Sequence, residues 1–452
     1  MLSSGALPAP LRSSFGDDLF LRRHRGVGSP IANQLTWRFP VPPPRAGVEA
    51  LADRLSEGAL ARRADPPLVP AARGRWSRAE HRPRVEHDAM IAEAEALAWL
   101  RRRAAVSLDP TTGRGWELAQ VDLAEGGALL SLVVSHAVAD GGAMVDAVAR
   151  AGAGAPPLVA PPRPRGLRAL ALDARDAAGQ VTEVGAWLAR QARTVSHRRP
   201  APPAPPSPPP SPQAAAPEPP LDPAWTTPLV VLELSANDVD RVAAAHGGSV
   251  NAWFATLVAG VVGRALGQPD APVPVALPVS TRAADDPRAN ATRIARVEVL
   301  PTEVEQRDLA AVRDRCRTAY AALDADADAG VEPLPLALVQ MLPDAVVRRL
   351  PAPPGARALA SRVGVLPAAF VSAAGAPATS VAAIAHHVGA PPEEVRAIGG
   401  GIAAWSCTVG DRITVSLAGM APHLLADDDA LAVPLEAELA RWGLTGSRWG
   451  AP

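Results

Sequence analysis

The sequence predicts an α/β protein of layered, α+β character, built as two lobes. Three observations carry that expectation. Segments with strand-like and helix-like periodicity alternate along both halves of the 452-residue chain. Between Pro200 and Pro223, 13 of 24 residues are proline, with Ala, Ser and Gln filling most of the rest, so this stretch reads as a semi-rigid connector that cannot build a core. It divides the chain into an N-terminal lobe over 1–199, a linker over 200–223 and a C-terminal lobe over 224–452. Third, an apolar run from Ala128 to Val134 stops abruptly at Ser135-His136, and Asp140-Gly141-Gly142 follows.

In the first half, residues 33–39 alternate as a strand does, and 48–60 carry apolar residues at helical spacing. A helix is predicted over 89–105, strands over 116–123 and 128–134, and a helix over 143–149 with Met144, Val145 and Val148 facing a core. Residues 160–165 read as a loop, and 167–193 as a helix leading to the connector. In the second half, strands are predicted over 228–234, 273–279 and 294–300, and helices over 237–246, 251–266 and 309–322. Residues 403–409 and 412–420 read as a hairpin turning at Gly410-Asp411, with a final helix over 430–441. No internal repeat is evident.

Composition excludes several classes. The formal charge of −1 gives no general pull toward nucleic acid or an anionic membrane. All 45 cationic side chains are arginine, which removes any mechanism that needs a lysine Schiff base or a phosphate-loop lysine. Cys316 and Cys407, two thiols far apart in apolar sequence, suit a reducing compartment and no disulfide framework. No basic start and apolar core mark a signal peptide in 1–28, and the most apolar stretch, 250–266, is broken by Asn251, two glycines and Arg264. The expectation is a cytoplasmic protein without a transmembrane segment, in which peripheral contact with a lipid surface stays open.

The chemistry concentrates at His136. A strand that ends at a histidine and passes through Asp-Gly into a helix holds one imidazole at the mouth of a sheet, with Gly141 easing the turn. A neutral imidazole of pKa about 6.5 suits a general base at cellular pH. The alternative reading is a core-edge histidine beside an ordinary turn. Asp140 is open to two roles, orienting the imidazole or holding a distant cation.

Leu108-Asp109-Pro110, then Trp116-Glu117-Leu118, then the strand into Ser135-His136-Ala-Val-Ala-Asp140-Gly141 together resemble the bacterial wax ester synthase/diacylglycerol acyltransferase family. More broadly they resemble the CoA-dependent acyltransferase superfamily, which includes chloramphenicol acetyltransferase and peptide-synthetase condensation domains. Ser249-Val-Asn251-Ala-Trp, the run from Val275 through Pro278 and Ser280 to Arg282, Asn290 further on, and a late-loop segment from Ala360 to Pro367 extend the resemblance over about 15–442. It implies two chloramphenicol-acetyltransferase-like lobes forming a V, with a tunnel at their interface that donor and acceptor enter from opposite faces. It implies His136 as the catalytic base, and Asp140 turned away to pair with an arginine, for which Arg282 is the candidate. It implies an oxyanion contact from the other lobe, with Ser280 or Ser361 as candidates. Ser135 and Gly142, flanking the motif, are the remaining candidate substrate contacts. The sequence departs from the family where Ser135 replaces a first histidine, where Arg362 stands for a common asparagine, and where Ala403-Ala404 fills a strand position that is often polar.

Other clusters have plainer readings. His386-His387 fits a strand end or surface pair better than a metal pair, and His136 with Asp140 lacks further ligands nearby, so no metal site is expected. Asp427-Asp428-Asp429 suits the start of the last helix. Arg101-Arg102-Arg103 fits helix-end arginines better than a CoA-phosphate site, and Gly399-Gly400-Gly401 a flexible approach to a strand. The expected function is O-acyl transfer from an acyl-CoA or acyl-carrier-protein co-substrate to an alcohol, with no permanently bound cofactor and no covalent acyl-enzyme. The alternatives are a condensation-type ester- or amide-forming enzyme using a carrier-bound substrate, and a degenerate binding or scaffold homologue.

Overall fold

The computed structural model of the chain describes residues 11–197, 220–329, 336–350 and 356–451. The proline-rich connector predicted over 200–223 lies outside the described residues up to 219.

The first sheet has five strands, in spatial order Ser380–His387, Ile31–Phe39, Ala128–Ser135, Trp116–Asp122 and Val85–His87. All pairs are antiparallel except the last. Ala128–Ser135 occupies the centre and is buried at every position, which explains its unbroken apolar run. Helices Arg45–Leu55 and Gly141–Ala153 cover one face, with Val48, Leu51, Leu132, Met144 and Val148 in a common core. The second sheet has seven strands, in order Thr292–Val299, Val273–Ser280, Ala358–Val365, Ile402–Val409, Arg412–Gly419, Leu229–Ser235 and Ser447–Arg448. Helix Val250–Ala265, buried from Ala252 to Gly263, packs on it with Leu232, Val275 and Val415. A small sheet of Leu11–Arg12, Arg75–Arg78 and Arg62–Asp65 flanks the first.

The halves are not self-contained. Strand Ser380–His387, from the C-terminal half, pairs with Ile31–Phe39 along its full length. The preceding helix, Ala368–Val371, delivers Phe370 onto Trp37, their rings stacked 4.8 Å apart while Trp37 Nε1 donates to the Phe370 carbonyl at 3.2 Å. A third apolar cluster spans both halves through Trp99, Leu229, Val231, Ile384 and Trp449. Buried Glu233 ties that seam, accepting from Ser380 Oγ and Trp449 Nε1, each at 2.6 Å.

Three predicted elements differ. The helix expected over 48–60 runs over Arg45–Leu55 and gives way to a turn. The helix expected over 89–105 begins only at Ala96, after a single 3₁₀ turn at Glu93–Glu95, because Ile91 is used instead to bridge Leu123. The segment from Ala360, expected as part of a late loop, lies in strand Ala358–Val365. That strand is parallel to both neighbours, and its small residues fit beneath the helix Val250–Ala265, so no alternation marks it in the sequence.

The long helix Gly166–His197 turns Asp173 and Asp176 inward. Asp173, fully buried, meets Arg12 Nη1 at 2.7 Å and also the buried Arg75. Removing that carboxylate leaves the buried Arg75 guanidinium without a counter-charge and Arg12 with Asp176 alone. Asp173→Ala is expected to cost about 3–5 kcal/mol of unfolding free energy in urea titrations, and a loss below about 1 kcal/mol would contradict this role.

Candidate active site

At the end of strand Ala128–Ser135 the chain turns within five residues into helix Gly141–Ala153. The His136 N–H donates to the Ile31 carbonyl at 2.8 Å, which ties the turn to the neighbouring strand. Asp140 is the helix N-cap, its Oδ1 accepting from the Ala143 N–H at 2.8 Å. Neither Gly141 nor Gly142 has a positive φ, so the turn does not demand glycine for backbone reasons, contrary to the sequence expectation for Gly141. The space beside them is what differs. A Cβ on Gly141 would meet nothing within 4 Å, and one on Gly142 would come to 3.5 Å from Ser280 Oγ of the other sheet.

The Asp140 carboxylate faces away from the imidazole. Oδ1 also accepts from Arg282 Nη2 at 3.0 Å, while Oδ2 accepts from the Ala291 N–H at 2.7 Å and Thr292 Oγ1 at 3.0 Å. Arg282 then donates to the carbonyls of Asp286, Arg288 and Ala289, closing the connection between strands Val273–Ser280 and Thr292–Val299. One carboxylate therefore holds the motif turn and that connection together.

Asn290, in the same connection, meets His136. Its amide nitrogen donates to Asp17 Oδ1 at 2.9 Å and to the His136 carbonyl at 3.0 Å. The remaining amide atom, Oδ1, therefore faces His136 Nδ1 at 3.0 Å and must accept. Nδ1 carries the proton, and Nε2 keeps the lone pair. Asp17 is buried and itself fixed by Trp76 Nε1 at 3.0 Å and the Asn290 N–H at 3.0 Å.

Helix Phe15–Arg23 supplies the other contacts. It opens with a capping box between Ser14 and Asp17. Asp17, Phe20 and His24, three and then four residues apart, share one face of this helix and its C-cap. Phe20 stacks on the His136 ring at 3.7 Å and 15°, and His24 Nε2 lies 2.8 Å from Ser135 Oγ. Burial is the main influence that pushes the His136 pKa below its usual value. Arg23 adds to that shift, while Asp140 and the Asn290 hydrogen bond oppose it. The half-buried imidazole is thus neutral near pH 7.

The other expected site residues divide. Ser135 is buried, with its hydroxyl engaged by His24 and the Ala137 N–H, so it offers nothing to a substrate, in contrast to the sequence expectation. Ser280 is exposed and faces Gly142. Ser361 is half-buried, and its hydroxyl makes no hydrogen bond among the described residues. His386 and His387 do end a strand, but half-buried and not on the surface. His386 Nε2 pairs with Gln34 Oε1 at 2.8 Å. Arg101 is paired with Asp428 and Arg103 with Glu117, so neither is free for phosphate. Asp427 caps the last helix as expected. Both cysteines are buried free thiols, Cys407 pushed by burial up to about 12.

Sequence reasoning gave Asn290 no role and missed Asp17, Phe20 and His24. The spacing Ser14-x-x-Asp17 is a readable helix start that would have put those three residues on one face.

No protein-family model matches the sequence, and no curated protein matches it. Solved structures do match the fold. The condensation domain of the Monacolin K polyketide synthase MokA is 12% identical with a TM-score of 0.55, the match covering 96% of each chain. The wax ester synthase/diacylglycerol acyltransferase from Marinobacter aquaeolei VT8 is 16% identical with a TM-score of 0.53, over 96% of this chain and 100% of that one. The first condensation domain of the calcium-dependent antibiotic synthetase, in complex with a substrate analogue, is 17% identical with a TM-score of 0.55, over 97% and 96%. The likeness is one of fold: the chain has the two-lobed α/β architecture of these solved structures. Among the described residues no helix is long and apolar enough to cross a membrane.

The buried histidines make stability depend on pH. Burial lowers His386 to about 3 and His387 to about 4, and lowers His136 as well, whereas the unfolded chain protonates each near pH 6.5. Between those limits the unfolded state binds more protons, so stability should fall as pH drops from about 6.5 toward 4. In urea titrations the His386→Gln/His387→Gln double variant should show a shallower fall between about pH 6.5 and 5. A slope equal to that of the parent would contradict the assignment.

Proposed function

We propose that the protein is an O-acyltransferase that moves an acyl group from a CoA or carrier-protein thioester to an alcohol, with His136 as the general base. The observation that carries this reading is the orientation of one ring. Asn290 accepts from His136 Nδ1, which leaves a neutral Nε2 as proton acceptor at the place where the two sheets meet. As the alcohol oxygen attacks the thioester carbonyl, Nε2 takes the hydroxyl proton. When the C–S bond breaks, the same imidazolium returns that proton to the departing thiolate. No serine or cysteine nucleophile is needed, and no permanently bound cofactor. Backbone N–H groups at the start of helix Gly141–Ala153 favour negative charge developing nearby, with Ser280 across from Gly142 as the hydroxyl from the other lobe. Asp140 and Arg282 act as positioning residues that hold the turn. The tunnel at the lobe interface, with donor and acceptor arriving from opposite faces, belongs to this proposal.

A carrier-bound donor is a second reading, supported by the likeness to condensation domains. Purified protein offered acyl-CoA with a long-chain alcohol, with diacylglycerol, or with a loaded carrier protein separates these. His136→Ala is expected to lower transfer about 10²–10⁴-fold, and Asn290→Ala to lower it less. Turnover only with the carrier identifies condensation chemistry. Absence of turnover with every pair, in a protein that remains folded, identifies a scaffold. Equal rates for parent and His136→Ala would remove His136 from the mechanism.

A further inference from the structure

We propose that a cavity beside Ser280 is a binding subsite for an acidic head group, a carboxylate or phosphate monoester carried on an apolar chain, and that Arg362 recognises it. The proposal rests on the acyl-transfer reading only in taking the occupant to be a reactant.

The cavity is about 230 Å³ and is lined by Asn251, Phe254, Leu277, Ser280, Tyr320 and Arg362, among others. Its size is below the ~300–1,000 Å³ typical of a whole-ligand pocket, so it holds a head group and a few carbons. Its lining stops at Ser280 and does not include His136. Because Ser280 Oγ lies 3.5 Å from where a Cβ on Gly142 would sit, the cavity borders the motif helix.

Arg362 is the anomaly. It is half-buried in strand Ala358–Val365, its Nε is sealed from solvent without a partner, and its guanidinium makes no hydrogen bond or ion pair among the described residues. The other inward arginines are engaged: Arg12, Arg22, Arg75 and Arg282 each meet a carboxylate, and Arg62 donates to the Ala59 and Pro287 carbonyls. Burial lowers the pKa of Arg362, offset only by the more distant Asp240 and Cys407. A partly desolvated, unpaired cation costs stability, and an anionic ligand is what would compensate it. The planar guanidinium fits the two oxygens of a carboxylate or phosphate. Asn251 and Tyr320 add an amide and a phenol that have no hydrogen bond among the described residues, and Phe254 and Leu277 add apolar wall. The acid can belong to the acceptor, or to the phosphate-bearing arm of the thioester donor.

Calorimetric binding to the full chain tests this, with dodecyl phosphate, dodecanoate, 1-dodecanol and coenzyme A as probes. The parent should bind at least one of the two acids about tenfold or more tightly than 1-dodecanol. Arg362→Leu should erase that preference while its thermal midpoint stays at or above that of the parent, since an uncompensated charge has been removed. Arg362→Lys should retain part of the preference. Competition between coenzyme A and the alkyl acid assigns the subsite to the donor, and simultaneous binding assigns it to the acceptor. His136→Ala should bind the acids like the parent, so failure of the catalytic reading leaves this result readable. Equal affinity for charged and neutral chains in the parent, or a preference that survives Arg362→Leu, overturns the proposal.

Discussion

The carboxylate of Asp140 joins the two parts of the site. Its four hydrogen bonds reach the motif helix, Arg282, the Ala291 N–H and Thr292, so both oxygens are used on structure and neither is left for the imidazole. Charge-assisted bonds from a guanidinium and two backbone amides are stronger than neutral ones, and this carboxylate is almost wholly buried. The position of Asn290 depends on that clamp, because it immediately precedes Ala291. The tautomer of His136 depends in turn on Asn290.

Helix Phe15–Arg23 closes the same arrangement from the other side. Asp17 fixes the Asn290 amide, Phe20 covers one face of the imidazole, and His24 engages the serine before the motif histidine. The helix therefore contributes no reacting group, but it determines how the ring is held and how little water reaches it. Desolvation keeps the imidazole neutral, and the Asn290 hydrogen bond keeps its orientation fixed.

Much of this was legible in the sequence. The strand ending at His136 and the turn into the next helix lie where the apolar run and the Asp-Gly pair put them, and of the two roles open to Asp140 the structure shows the cation, Arg282. Local pattern carries the strand end, which depends on burial on both faces of a strand, and the turn into the helix; the Asp140–Arg282 pair spans 142 residues and is suggested only by the family resemblance. Long-range pairings were not legible. Strand Ser380–His387 crosses into the first sheet, and nothing in its Ala/Val/Ile pattern specifies which strand it will join. Asn290 and Asp17 are 273 residues apart and meet only because that assembly brings their segments together. The Asp-Gly pair suggests a backbone reason for Gly141 that its ordinary φ does not support.

The fold is shared with condensation domains and a wax ester synthase, and within it Ser135 is bound to His24 while the half-buried Arg362 has no counter-charge among the described residues. The proposed chemistry depends on a neutral His136 whose Nε2 is free. Nitrogen-15 NMR of the imidazoles at pH 7, with His136→Gln to assign the resonance, measures that state directly. A neutral ring protonated on Nδ1 is expected, shifting to a tautomer mixture in Asn290→Ala. A His136 ring that is doubly protonated, or protonated on Nε2, at that pH would contradict it.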